Sequence, residues 1–331
     1  MSSRELPFLV QRFFTDHLPA QLGSSPHTVA GYRDTFRILL RYAAKHLRQN
    51  PSRLRLEDLD ANFLRNFLSH LETSRRNTPR TRNTRLAALR AFFRYVAFQE
   101  PAHALRCQQI LAIPTKRHAQ NPVEYLTPEE SAALLRAPNV ATWVGRRDHT
   151  LLVVAIHTGL RNAELRALAC RDVRLGTGAH VRCTGKGRKT RCTPLGSEAS
   201  GVLEVWLRER GGHDSDPLFP SSGGRVMSAD ALQRLVKVHV ARARQKCPSL
   251  AKKRVTPHTL RHTAAMNLLR RGVDLTVIAL WLGHESTQTT QTYIHADMQL
   301  KERALAKATS SGRAPRRFRP SDALLAFLDG L

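Results

Sequence analysis

Residues 256–265 read TPHTLRHTAA, and the fold and chemistry of the chain can be inferred most directly from this segment. Thr256 followed by Pro257 predicts the start of a helix, because threonine caps helix N-termini and proline is favoured at the first helical position. His258 and Arg261 are three residues apart, so they share one face of that helix and can both reach one small anion. A histidine–arginine pair in a helix is also commonly structural, so this segment alone leaves both interpretations open.

The downstream segment, residues 282–295, reads LGHESTQTTQTYIH. Gly283 predicts the end of a helix and leaves His284 in a loop. A serine or threonine cap then predicts a last short helix, which carries Tyr293 nine residues after His284. Taken alone, a tyrosine at this place is as expected in a core as in a reactive site.

The upstream segment, residues 158–165, reads TGLRNAEL. Gly159 predicts the end of one helix, and Arg161 lies where the next helix begins. A positive side chain beside a helix N-terminus is unfavourable unless an anion binds there, and an ordinary surface arginine is the alternative. Glu164 either supports such a cluster or pairs with the helix N-terminus.

Between these segments, residues 180–183 and 190–194 predict two short strands that form a β-hairpin. Its turn at residues 184–188 reads TGKGR, with Lys186 at the tip. The flanking glycines let the backbone approach a ligand closely, although most glycine–lysine turns are merely solvated.

Arginine, lysine, histidine-x-x-arginine, glycine–histidine and tyrosine follow one another in that order. Together these segments closely resemble the sequence boxes of the tyrosine recombinase/integrase family, over about residues 5–305. The resemblance is to Xer-type and transposon-borne integrases. It implies a mostly α fold with a small β-sheet, in which a helical SAM-like core-binding domain and an α+β catalytic domain clamp double-stranded DNA.

The resemblance also implies how strand cleavage occurs. Tyr293 would attack the scissile phosphate and form a 3′-phosphotyrosine link. Because a tyrosine hydroxyl has an ordinary pKa near 10, it needs activation, and His258 is the expected acceptor of its proton. Lys186 would protonate the leaving 5′-oxygen.

The other implied roles concern the charge of the phosphate. Arg161 and Arg261 would hold the non-bridging oxygens with planar guanidinium groups, and His284 would donate a further hydrogen bond. Since these cations replace the metal ions of other phosphoryl-transfer sites, the sequence predicts neither a metal nor a cofactor. The predicted catalytic residues are Arg161, Lys186, His258, Arg261, His284 and Tyr293.

Four segments are predicted along the chain. Residues 1–102 form the helical core-binding domain, residues 103–122 a basic linker, residues 123–308 the catalytic domain and residues 309–331 a C-terminal tail. The tail ends in an apolar segment too short to be a stable helix alone. The family resemblance implies that it docks on the next protomer of a tetrameric synapse, and the alternative is docking on its own catalytic domain.

The charge of the chain requires a partner. The 53 Lys and Arg residues outnumber the 26 Asp and Glu residues, which gives a net charge of +27. Residues 1–102 carry a net charge of +9 and residues 123–331 a net charge of +15, so both halves are expected to bind a polyanion. The alternative is that the basic surface only increases solubility. The charge alone is compatible with RNA, DNA or an anionic membrane as the partner, and the family resemblance indicates DNA. Five arginines off the apolar stripe of one helix are expected to contact phosphates or to be solvated: Arg80, Arg82, Arg85, Arg90 and Arg94.

Several classes of protein are disfavoured by composition. The sequence has no apolar run long enough to span a membrane. Its five cysteines lack a CxxC motif, which favours a reducing cytosol over disulfides or zinc, and we expect a cytoplasmic, nucleoid-associated protein. The predicted function is site-specific recombination in mobile-element integration or excision, by a homo- or hetero-tetramer with or without sister recombinases. The alternatives are a type IB topoisomerase-like activity and a non-catalytic DNA-binding protein.

Overall fold

The computed structural model describes residues 5–118, 123–185 and 189–283. The chain divides into two compact units, Met1–Gln120 and Asn121–Leu331, and each unit buries apolar side chains of its own.

Unit 1, as far as it is described, is built from helices. They are α1 (Leu6–Arg12), α2 (Pro26–Leu47), α3 (Ala61–Thr73), α4 (Pro79–Gln99) and α5 (Ala104–Leu111), with a π-helical segment at Phe13–Gln21. Ser25 and Thr78 cap α2 and α4, each directly before a proline at the first helical position. Helix α3 begins at Ala61, because the Asp60 carboxylate accepts a hydrogen bond from the Phe63 N–H at 2.7 Å and caps the helix there.

The segment predicted to be a linker differs in its first half. Residues 103–122 include α5, whose Cys107 and Ile110 are buried in the core of unit 1. The helix is only eight residues long, so its apolar spacing is too brief to be distinguished from a loop by sequence pattern.

The arginines of α4 do not all face solvent. Arg82 is 6% exposed, and it donates a hydrogen bond to the Pro114 carbonyl at 2.8 Å. Arg90 binds the Ile113 carbonyl, and Arg85 binds the Thr35 hydroxyl. The expectation that all five contact phosphates or are solvated is therefore wrong for Arg82, which is buried. Arg85 and Arg90 are half-buried, and each uses part of its guanidinium to bind another segment of unit 1. Arg80 and Arg94 are exposed.

Unit 2 combines helices with a small sheet. Its helices are α6 (Pro128–Leu135), α7 (Trp143–Thr158), α8 (Asn162–Ala167), α9 (Ser197–Arg210), α10 (Ala229–Ala243), α11 (Pro257–Arg270) and α12 (Leu275–Leu282). Helix α7 is buried along most of its length, and α11 packs against both α7 and α12. This packing brings the end of α7 and the end of α12 to the same place in unit 2.

Within the described residues, the sheet has three antiparallel strands in the order β1-β2-β3: β1 (Val173–Arg174), β2 (His180–Thr184) and β3 (Thr190–Pro194). The predicted hairpin is β2–β3, with Cys183 opposite Arg191. The sequence did not indicate β1, because a strand of two residues has no measurable alternation. With the helical unit 1, this sheet confirms a mostly α fold with a small β-sheet.

Candidate active site

The C-terminal end of α12 is held by three arginines, each bound to one of three consecutive carbonyl groups. The hydrogen bonds join Arg191 Nε to the Trp281 oxygen (3.2 Å), Arg261 Nη2 to the Leu282 oxygen (2.7 Å) and Arg161 Nη2 to the Gly283 oxygen (2.6 Å). An α-helix leaves its last carbonyls without helical partners, and its dipole makes this end negative. Three cations therefore gather here.

Arg161 lies at the N-cap of α8. Its backbone N–H donates to Glu164 Oε2 at 2.8 Å, and its Nη1 donates to Glu164 Oε1 at 2.8 Å. The carboxylate supplies the negative charge that an arginine at a helix N-terminus requires. Both alternatives for Glu164 are therefore correct, because it pairs with the helix N-terminus and supports the arginine cluster.

Glu164 is 4% exposed and carries a second ion pair. Arg191, on β3, donates from Nη1 to Oε1 at 2.9 Å and from Nη2 to Oε2 at 2.7 Å. Burial alone would raise the pKa of Glu164, but the hydrogen bonds from Arg191 and Arg161 outweigh it and lower the pKa to about 2. Glu164 is thus a permanent anion at neutral pH.

Arg261 is almost completely buried, with 2% of its surface exposed. Besides the Leu282 oxygen, it binds the Gly159 carbonyl at the end of α7 through Nη1 at 2.7 Å. A buried guanidinium held at two points is fixed in position, which is what recognition of a phosphate oxygen requires.

Arg161, His258 and Arg261 line one open cleft of about 370 Å³, together with Gln233 and Thr256. Thr256 caps α11, and the His258 ring lies against the His262 ring with centroids 4.3 Å apart. Three of the six predicted catalytic residues therefore meet at a single cleft, although Arg161 and Arg261 are 100 residues apart in the chain.

Two glycines let the backbone come close to the arginine–glutamate cluster. A Cβ on Gly185 would lie 2.9 Å from Glu164 Oε1, and a Cβ on Gly283 would lie 2.8 Å from Arg191 Nη1. Gly283 also has a φ of 66°, in the left-handed region. A side chain at either position would push the cluster apart.

Comparison with known proteins agrees with this geometry. Residues 124–300 match the model of the phage integrase family, and residues 11–100 match the N-terminal SAM-like domain of phage integrases. The chain belongs to the phage integrase family.

Its relatives within the integrase family match over nearly their whole length. The protein named integrase/recombinase y4rC of Sinorhizobium fredii is 49% identical over 98% of this chain and 97% of its own length. Tyrosine recombinase XerC of Pelobacter propionicus is 34% identical, over 92% of this chain and 96% of its own. The chain is accordingly a tyrosine-type site-specific DNA recombinase.

Solved structures of integrases share the fold. A XerH site-specific recombinase bound to a palindromic difH substrate is 24% identical, with a TM-score of 0.70, over 87% of this chain and 82% of that chain. The Tn1549 transposon integrase in complex with circular intermediate DNA is 18% identical, with a TM-score of 0.68, over 92% and 99%.

The other three predicted catalytic residues of this integrase, Lys186, His284 and Tyr293, lie outside the described residues. Gly185 and Gly283 immediately precede Lys186 and His284, and both glycines lie against the cluster. The short C-terminal segment at residues 321–331 is likewise outside the described part of the chain.

Sequence reasoning about this integrase missed Arg191. The residues of β3 show no apolar alternation that would have revealed it; in the structure, Thr190 and Cys192 are exposed while Arg191 is half-buried and Thr193 is buried. An arginine on the inward face of a strand requires a buried anion. Opposite it on β2, burial raises the pKa of Cys183 to about 11, so this thiol stays protonated and is not a nucleophile.

The described residues of the integrase form no membrane-spanning helix and no cluster of metal-ligating side chains. None of their helices is long and apolar enough to cross a membrane. The same residues contain no group of three or more His, Cys, Asp or Glu side chains placed to hold a metal ion.

Proposed function

We propose that this recombinase cuts and rejoins double-stranded DNA through a 3′-phosphotyrosine intermediate, with Tyr293 as the nucleophile. The observation that supports it best is the meeting of Arg161, Arg261 and His258 at one cleft. Two fixed guanidinium groups and an imidazole beside one opening match the requirements of a phosphodiester that gains negative charge as it reacts. We further propose that residues 123–308 form the catalytic domain.

In the proposed reaction, Arg161 and Arg261 bind the non-bridging oxygens of the scissile phosphate. Each guanidinium holds a carbonyl at the end of α12, so its orientation is set before DNA arrives. Preorganised cations stabilise the charge of the transition state without rearrangement during the reaction. His284, which follows this helix end, donates a further hydrogen bond to the phosphate.

The covalent step exchanges one phosphodiester bond for another. The Tyr293 oxygen forms a bond to phosphorus while its proton passes to His258, and the bond from phosphorus to the 5′-oxygen breaks. Lys186 donates a proton to that oxygen, which leaves as a 5′-hydroxyl. Attack by a 5′-hydroxyl of the partner strand reverses the step, and the phosphotyrosine bond supplies the energy that rejoining needs.

A suicide substrate, a single recombination site with a nick beside the scissile phosphate, tests this proposal. The unaltered chain should form a covalent DNA adduct, and Tyr293→Phe should bind the site without forming it. Tyr32→Phe is the matched control, because it removes one hydroxyl from a half-buried tyrosine of unit 1, whose ring stacks on Phe13. An adduct that persists in Tyr293→Phe contradicts the assignment of the nucleophile.

Relaxation of a supercoiled plasmid, measured beside adduct formation and strand exchange, separates the alternatives. A topoisomerase IB-like enzyme would form the adduct and relax supercoiled plasmid without exchanging partners, and a non-catalytic DNA-binding protein would do neither. We favour recombination in the integration or excision of a mobile element, in the cytoplasm and on the nucleoid. The match to a transposon integrase fold is consistent with this. The ends of the element and its genomic neighbourhood would identify the site.

We infer that strand exchange needs a tetramer of this chain, alone or with sister recombinases. Sinorhizobium fredii holds two relatives, y4rC and y4rD, that are 49% and 37% identical to this chain. Deleting residues 321–331 should leave binding to a one-site DNA nearly intact and weaken assembly on a two-site DNA. Gel shifts on both DNAs measure this, and a parallel loss of one-site binding would instead indicate docking within the same chain.

A further inference from the structure

Arg191 is the one arginine at the end of α12 to which the proposed mechanism gives no role. The other two, Arg161 and Arg261, line the cleft with His258, whereas the cleft lining within the described residues does not include Arg191. The side chain of Arg191 is 14% exposed, so it is enclosed behind the site. A mostly enclosed cation beside the two proposed phosphate ligands must serve another purpose.

The contacts of Arg191 indicate a balance of charge. Glu164 receives two hydrogen bonds from the Arg191 guanidinium and one from the Arg161 guanidinium. Without Arg191, the buried carboxylate would be neutralised by Arg161 alone. The positive charge of Arg161 would then be cancelled by the negative charge of Glu164. The pair would attract a dianionic transition state less strongly than Arg161 does when Arg191 neutralises Glu164.

The Arg191 side chain also holds neighbouring segments of the site in position. Arg191 Nε binds the Trp281 carbonyl, three residues before His284. Because β3 carries Arg191 and the β2–β3 turn carries Lys186, this guanidinium connects the hairpin, α8 and the end of α12. Three segments that supply predicted catalytic residues are joined at this guanidinium.

We propose that Arg191 is a positioning residue for strand cleavage. It neutralises Glu164, so that Arg161 retains its positive charge for the scissile phosphate, and it fixes the end of α12 ahead of His284. The assignment rests on the proposed function, since it takes Arg161 to be a phosphate ligand. Arg191 itself does not touch the DNA.

Three variants test the charge balance: Arg191→Met, Glu164→Gln and the double variant. Single-turnover cleavage of the suicide substrate is measured at saturating DNA, and the dissociation constant is measured separately. Arg191→Met should cleave about tenfold or more slowly while the dissociation constant changes by less than about threefold. The double variant, which lacks the carboxylate as well, should cleave about fivefold or more faster than Arg191→Met.

The chain offers a matched control in Arg146. This arginine also binds a carboxylate, Glu209, at 2.6–2.8 Å and a backbone carbonyl, that of Val140 at 2.7 Å. It lies outside the lining of the cleft. Arg146→Met therefore removes a similar but more exposed ion pair, and its cleavage rate should stay within about twofold of the unaltered chain.

Two outcomes overturn the proposal: Arg191→Met that cleaves at the unaltered rate, or a double variant no faster than Arg191→Met. If thermal melting shows that Arg191→Met is unfolded, Arg191→Lys replaces it in both the single and the double variant. Lysine keeps the charge but loses the two-pronged contact, so intermediate cleavage is expected, and unaltered cleavage overturns the role in geometry. An unaltered chain that forms no adduct would overturn the proposed function instead.

Discussion

Arg161 and Glu164 bind each other twice, through the backbone N–H to Oε2 and through Nη1 to Oε1, both at 2.8 Å. A cation at the N-cap of a helix is normally destabilising, and here the third residue of the same helix cancels the effect. Arg161 can therefore point a guanidinium at a ligand from a place where positive charge is otherwise disfavoured. The pair explains why a glutamate follows this arginine at a spacing of three.

Replacing either cleft arginine should slow cleavage. Arg161→Ala and Arg261→Ala should each reduce the single-turnover rate by about 100-fold or more, the scale of a lost oxyanion donor. Both variants should also lower the melting temperature, because loss of Arg261 leaves two buried carbonyls without donors and loss of Arg161 takes a hydrogen bond from the buried Glu164. Arg171→Ala, at an exposed position, is the control. Normal cleavage by either cleft variant at saturating DNA would exclude that arginine from the site.

The stability of unit 2 should depend on the ionisation of Glu164. Its pKa is about 2 in the folded chain and 4.5 ordinarily, so its contribution is complete above pH 4.5 and is lost as pH falls towards 2. The difference corresponds to about 3 kcal/mol. Urea unfolding from pH 6 to 2 should show a shallower decline for Glu164→Gln than for the unaltered chain. Glu204→Gln, at an exposed carboxylate, should keep the original slope, and parallel curves for Glu164→Gln would contradict the prediction.

Gly283→Ala should lower stability by more than the strain of its positive φ alone would. Gly283 and Gly272 both have positive φ, 66° and 80°, so alanine at either position costs about 1–2 kcal/mol. Gly272 has open space around it, whereas a Cβ on Gly283 would meet Arg191 Nη1 at 2.8 Å. Gly283→Ala should therefore lower the melting temperature further and reduce cleavage, while Gly272→Ala should leave cleavage unchanged. Equal effects on both measurements would rule out the contact with Arg191.

Alanine substitutions of two arginines of α4 should have different effects on stability. Arg82→Ala removes a buried side chain of α4 that packs within unit 1 and holds the Pro114 carbonyl, so it should destabilise unit 1 by about 1–3 kcal/mol. Arg94→Ala alters an exposed side chain, so its stability should stay within about 0.5 kcal/mol of the original. Its DNA affinity should fall if this face contacts phosphates. Urea unfolding and salt-dependent DNA binding measure the two effects, and a destabilised Arg94→Ala would contradict this division.

DNA affinity should fall steeply with salt, because a net charge of +27 is spread over both units. With six to ten phosphate contacts, the loss between 50 and 200 mM salt is about a thousandfold or more. Fragments 1–118 and 123–331 should each bind weakly, and the full chain much more tightly through their linkage. The first fragment must include α5, which belongs to the core of unit 1. Equal affinity of fragment 123–331 and the full chain would contradict binding by both units.

Much of the helical structure is predictable because its signals are local. Ser25, Thr78, Thr127 and Thr256 cap helices that begin with proline, and Gly159 and Gly283 end helices with positive φ. Caps and breakers act within a few residues of the chain, so their effect survives without knowledge of the tertiary fold. The exceptions, α5 and β1, are too short to show a periodicity.

The sequence by itself determined the family, the two-part organisation of helices and hairpin, and the residue types available for phosphate chemistry. Only the tertiary structure decided which charges face one another. Arg191 pairs with Glu164 from 27 residues away, and Arg161 reaches the Gly283 carbonyl from 122 residues away. Arg82 and Arg94 lie on one helix and look alike in sequence, yet only Arg82 is buried. A buried guanidinium is stable only where carbonyl or carboxylate acceptors surround it. Packing places those acceptors, and it therefore decides whether an arginine stabilises the fold or binds a ligand.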